Sequence, residues 1–113
     1  MIGVAVKGET LLRLCAADDV QEDLPLRVEV GDMSYAVFRL GDAFYVLADL
    51  CSHGPGYLSD GFVEGCEVEC PFHQGRFDIR TGVATAAPCE HPVSAWAPVV
   101  IDGAIHIDPL NPV

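Results

Sequence analysis

Residues Cys51 to Gly75 read CSHGPGYLSDGFVEGCEVECPFHQG and hold three of the chain's five cysteines and two of its four histidines. Cys51 and His53 form a C-x-H arm; after an interval of sixteen residues, Cys70 and His73 form a C-x-x-H arm. Each arm offers one thiolate and one imidazole. A tetrahedral zinc site can be built from such a set, but the usual two-Cys, two-His zinc pattern keeps the cysteines in one arm and the histidines in the other. Cys66 is a rival ligand, since C-x-x-x-C with Cys70 is also usable. Choosing it leaves Cys70 without a role in the paired pattern.

Mixed arms suit a binuclear site in which one metal takes both thiolates and the other both imidazoles, because each arm then spans the two metals. A [2Fe–2S] cluster with two Cys on one iron and two His on the other has this composition. Cys51, His53, Cys70 and His73, with their short spacings, resemble the Rieske signature. The flanking HGPGYLSDGFVEG, QGRFDIRTG and APCEHPV look like the small Rieske ferredoxins of bacterial aromatic-ring-hydroxylating dioxygenase systems, of the biphenyl and toluene type. The likeness is clear from about Leu50 to Pro92 and holds only in pattern and length outside that range.

The resemblance implies an all-β Rieske fold, an antiparallel β-sandwich base carrying a loop-built cluster-binding subdomain. It implies one Rieske-type [2Fe–2S] cluster ligated by Cys51, His53, Cys70 and His73. It also implies two protein partners, a flavoprotein ferredoxin reductase and a terminal oxygenase, between which the chain carries single electrons. The respiratory Rieske proteins differ: they have a disulfide cysteine in each loop where this chain has Gly56 and Phe72. They also place hydroxyl donors near the cluster sulfurs, where the matching positions look like Gly75 and Phe77. Losing donors to sulfur lowers the potential, which predicts a value near the low end of the Rieske range, roughly −150 mV.

The chemistry explains the ligand types. Two thiolates offset the charge of an oxidised [2Fe–2S] core, and neutral imidazoles in place of two more thiolates make reduction easier than in plant-type ferredoxins. Gly54, Pro55, Gly56 and Gly75 are expected to let the loops wrap closely, with backbone N–H groups facing the sulfurs. Glu64, Glu67 and Glu69 are expected in the intervening loop, making the docking face partly negative.

The rest of the chain sets the frame. At 113 residues, half of them apolar, it suits one domain with one core, residues 1–113, with the cluster-binding subdomain at about 50–88. Seventeen acidic residues against six Lys plus Arg give a formal charge of −11. Such a charge argues against nucleic acid or an anionic membrane as a partner. The first residues, MIGVAVKGETLLRL, lack the uninterrupted apolar core of a signal peptide, and no stretch approaches the roughly 20 apolar residues of a membrane-spanning helix. An odd cysteine count without a secretory signal favours metal ligation in a reducing cytoplasm over a disulfide framework.

Outside the central stretch, LLRLCA, LPLRVEV, SYAVFRL and FYVLAD are strand-length apolar or alternating runs, and Gly31-Asp32 and Gly41-Asp42 separate them. They predict a meander of three or four antiparallel strands. Between Leu50 and Pro88, glycines and prolines interrupt every period. VSAWAPVVI and AIHID flank Asp102-Gly103, which predicts a two-residue hairpin. Helix is expected only as a short turn around Asp18 to Asp23. Cys15 and Cys89 are expected to be structural, Trp96 to lie in the core, and His106 to face solvent.

Two other readings compete with the electron carrier. One is a zinc-stabilised binding module; the other is a Rieske subunit of a different oxidoreductase, such as a nitrite reductase.

Overall fold

The computed structural model describes residues 11–50, 56–71, 74–87 and 91–113. Among these the chain forms eleven strands and two 3₁₀ turns, with no α-helix. The strands are β1 (Leu12–Ala16), β2 (Leu26–Val30), β3 (Met33–Leu40), β4 (Ala43–Ala48), β5 (Phe62–Glu64) and β6 (Glu67–Glu69). They continue as β7 (Arg76–Asp78), β8 (Ala84–Ala86), β9 (Ala95–Trp96), β10 (Val99–Ile101) and β11 (Ala104–Ile107). They assemble into three antiparallel sheets, ordered β1-β11-β10, β2-β3-β4-β9 and β5-β6-β7-β8.

The predicted meander is present as β2, β3 and β4, but β1 leaves it. Leu12 pairs with Ile107 and Ala16 with Ala104, so the first described strand closes onto the last. A meander joins strands that are neighbours in sequence, whereas β1 buries Leu14 and Cys15 against Ile105 and Ile107 from the far end of the described chain. The Asp102-Gly103 hairpin forms as expected. Ile101 pairs with Ala104, and both turn residues take positive φ, 51° and 75°, as a type I′ turn requires. The predicted helical turn is a 3₁₀ turn at Ala17–Asp19.

The central sheet β2-β3-β4-β9 is apolar on both faces. On β3, Tyr35 and Val37 join one core with Val20, Val46, Trp96, Ile105 and Ile107, against the β1-β11-β10 sheet. Ala36 and Phe38 point the other way, into a second core with Leu47, Leu58, Val68, Cys70, Phe77 and Ile79. Strand side chains alternate, so the unbroken apolar run YAVF is what burial on both faces demands. β9 repeats the rule, with Ala95 in the second core and Trp96 in the first. Trp96 is buried as predicted; its indole N–H donates to the Pro109 carbonyl at 3.2 Å, and it meets Tyr35 edge-on at 5.1 Å.

The segment expected to be built from loops has a sheet of its own. β5 to β8 are three residues each, too short for a period to show in the sequence. They still alternate: Val68 and Phe77 pair across the inner face and are fully buried, while Glu64, Glu67, Glu69, Arg76 and Asp78 lie outside. The second core therefore fastens this small sheet to the base.

Candidate metal centre

Of the four expected ligands, Cys70 lies among the described residues; Cys51, His53 and His73 lie outside them, as do Phe72 and Cys89. The described chain shows how each arm is founded. The first arm leaves β4 at Asp49 and Leu50, and the chain returns through Gly56 and Tyr57. Leu50 and Tyr57 form an antiparallel bridge, and the Leu58 N–H donates to the Asp49 carbonyl at 2.7 Å. A 3₁₀ turn at Leu58–Asp60 follows, with Leu58 fully buried. The arm is thus a closed excursion from the base.

The second arm is the turn of the β6–β7 hairpin. The Cys70 N–H donates to the Gly75 carbonyl at 2.8 Å, and the Gln74 N–H donates to the Cys70 carbonyl at 3.0 Å. Gln74 takes a positive φ of 61°, so the turn is tight even without glycine at that position. Cys70 has no exposed surface and belongs to the second core.

Two contacts bring the arms to one place. Leu58, leaving the first arm, and Cys70, entering the second, share that core. Gly61, after the 3₁₀ turn, lies so close to the Glu69 carbonyl that an added Cβ would stand 2.1 Å from its oxygen. Only glycine permits this approach, and Glu69 is the residue before Cys70.

A buried polar network underlies the first arm, and sequence reasoning missed it. Asp49 is completely buried. Its Oδ1 accepts from the Ser59 N–H at 2.7 Å, and its Oδ2 accepts from the Ser34 and Ser59 hydroxyls at 2.8 and 2.9 Å. Arg27 Nε lies 3.0 Å from the same Oδ2, and its Nη2 donates to Asp60 at 2.6 Å. The guanidinium also lies 4.1 Å from the Tyr57 ring centroid. Burial pulls the Arg27 pKa down, but Asp49 and Asp60 outweigh it and hold the group above its ordinary value. The available signal was an acid at the end of an apolar strand, FYVLAD.

The acidic residues expected in a loop stand on strands instead. Glu64, Glu67 and Glu69 surround Arg76, whose guanidinium nitrogens lie 2.7, 3.5 and 3.0 Å from them. One cation partly neutralises three carboxylates, so the face is less negative than the sequence suggests. Cys66 sits exposed in the Gly65-Cys66 turn between β5 and β6, on the opposite end of β6 from Cys70. Cys15 is buried, and that burial pushes its thiol pKa up, as suits a structural residue. His106 is half-buried rather than solvent-facing, with Nδ1 3.1 Å from the Ala104 carbonyl.

The described part fits a thiolate-ligated cluster. The Cys70 thiol is withdrawn from water, and Gly56 and Gly75, one on each arm, are buried. No helix among the described residues is long and apolar enough to cross a membrane.

The model of the Rieske [2Fe-2S] domain matches residues 10–97. The ferredoxin component of the p-cumate 2,3-dioxygenase system of Pseudomonas putida is 48% identical over 100 residues, covering 87% of this chain and 85% of that protein. The solved ferredoxin of Sphingomonas yanoikuyae B1 superposes with a TM-score of 0.83 at 40% identity, covering 86% of this chain and 96% of that one. A ferredoxin solved in complex with the oxygenase of carbazole 1,9a-dioxygenase superposes with a TM-score of 0.81 at 39% identity, covering 88% and 93%. These relatives are electron-transfer components, and they do not favour the zinc module or a subunit of another oxidoreductase. The chain belongs to the Rieske [2Fe-2S] domain family, as a ferredoxin-type electron carrier with one Rieske-type cluster.

Proposed function

We propose that Cys51, His53, Cys70 and His73 hold the cluster, and that the chain carries electrons from a flavin-dependent ferredoxin reductase to the Rieske centre of a terminal aromatic-ring-hydroxylating dioxygenase. The observation that carries this reading is the joint foundation of the two arms: Leu58 and Cys70 in one core, with Gly61 against the Glu69 carbonyl. That arrangement brings together the stems of two excursions, each bearing one Cys and one His. The oxygenase partner is supported by the likeness to the carbazole ferredoxin solved with its oxygenase. The reductase follows from the need of such a system for an electron source.

When bound, the cluster supplies a one-electron redox couple. The chain's own part is to keep the thiolate side dry. Cys70 is buried, and Phe77, which has no hydroxyl to offer, is buried in the same core. Fewer donors near sulfur favour the oxidised state, so the potential is expected near −150 mV. We read residues 1–113 as one domain with a cluster-binding subdomain at about 50–88, working in the cytoplasm.

EPR of the dithionite-reduced protein, with iron and sulfide analysis, tests the ligand assignment. A Rieske-type signal with two irons and two sulfides per chain is expected. Colourless protein carrying zinc would overturn the reading. Reduction by a flavoprotein reductase and reoxidation by an oxygenase, followed by stopped-flow, tests the partners.

A further inference from the structure

Asp49 is the one buried polar or charged residue among the described residues. It stands two positions before Cys51. Its side chain receives four contacts, from Ser34, from Ser59 twice and from Arg27, reaching it from β2, β3 and the 3₁₀ turn. Its main chain is engaged as well: the N–H donates to the Ser34 carbonyl at 3.0 Å, and the carbonyl accepts from Leu58 at 2.7 Å. Both ends of the segment 50–58 are therefore tied to one residue.

We propose that Asp49 is the positioning residue of the first arm, setting where Cys51 and His53 stand through the closed network with Arg27, Ser34 and Ser59. This rests on the ligand assignment above. A buried carboxylate is costly unless it is paired and hydrogen-bonded. The network meets that condition only when the departing strand, the returning 3₁₀ turn and Arg27 are all in register. One geometry of the arm's two ends satisfies it, and a slipped arm leaves a buried charge unpaired. Arg27 extends the tie outward by holding Asp60, donating to the Ser59 hydroxyl and lying over Tyr57, so it grips the returning limb at three positions, 57, 59 and 60. The second arm is closed by backbone bonds at Cys70, Gln74 and Gly75.

Asp49→Asn keeps the shape of the side chain but turns an NH₂ toward at least one of the donors that the carboxylate now accepts. Three readouts test the proposal against Val37→Ala, a change in the other core that loosens the base without touching the arm. The expected result for Asp49→Asn is faster hydrogen exchange at amides 50–58, by tenfold or more, with shifted or broadened EPR g-values. Iron should also pass to a chelator at least tenfold faster. Val37→Ala should leave the g-values in place and the chelation rate within about twofold. Wild-type exchange and g-values in Asp49→Asn, or equal changes in Val37→Ala, would overturn the proposal.

If Asp49→Asn does not fold, Ser59→Ala, which removes one hydroxyl and keeps the backbone donor, decides. A shifted EPR signal and faster exchange at 50–58 support the anchor, and an unchanged protein removes it. The exchange experiment does not depend on which residues ligate iron. A wild type without a Rieske signal would therefore sink the ligand assignment and leave the exchange comparison to judge Asp49.

Discussion

The two arms of the proposed metal centre are supported by different forces. The first is closed by side chains meeting at one buried carboxylate, Asp49. The second is a hairpin turn, closed by backbone bonds between Cys70, Gln74 and Gly75 and continued by the pairs Glu69 with Arg76 and Val68 with Phe77. Its ionic ring, Arg76 with three glutamates, lies on the outer face, where solvent screens it. Backbone bonds survive most substitutions. A side-chain network concentrated on one residue does not, so the first arm should be the more sensitive to polar changes and the second to changes in its core.

The largest effect should come from the second arm's proposed ligand, Cys70. Cys70→Ser should abolish the visible spectrum and the reduced EPR signal while circular dichroism still shows β structure. A retained Rieske spectrum would separate this arm from the cluster.

Next in size is the core beneath that arm. Phe77 is fully buried against Val68, Leu58 and Phe38, and truncation to Ala should cost about 3–5 kcal/mol. Denaturant unfolding measures it. A loss under 1 kcal/mol would mean that the small sheet is not fastened by this core.

The contact joining the arms is the third target. Gly61→Ala would drive a Cβ into the Glu69 carbonyl, and the backbone must shift to admit it. The expected cost is about 1–3 kcal/mol, with a changed EPR line shape because Glu69 adjoins Cys70. An unperturbed signal would show that the arms tolerate relative movement.

The smallest effect is ionic. Hydrogen bonds from Arg80 hold the Asp78 carboxyl below its ordinary value. Because the folded pKa lies below the unfolded one, this contribution is complete above about pH 4 and is lost as pH falls through the folded value. Arg80→Gln should therefore lower the thermal midpoint slightly at neutral pH, and the difference from wild type should close in acid. A difference that does not vary with pH would assign the effect to packing instead.

Much of this molecule could be read from local signals. The proposed ligand arms rest on residue type and spacing; Asp102-Gly103 was legible by its turn chemistry, and β2 to β4 by length and period. Other features depend on distant chain. β1 finds β11 because both need an apolar partner that their sequence neighbours do not supply. Strands of three residues in β5 to β8 carry too little pattern to announce a sheet.

What the sequence by itself determined is the chemistry. Two cysteines and two histidines in mixed arms suit a [2Fe–2S] cluster, the reading on which the proposed ligand set rests, because ligand preference depends on residue type and order along the chain. What only the tertiary structure decided is the support for that chemistry. Asp49 is buried and satisfied because β2, β3 and the 3₁₀ turn converge on it, and Gly61 matters because Glu69 lies against it. Burial and close approach are properties of the assembled fold, since each depends on groups far apart in sequence.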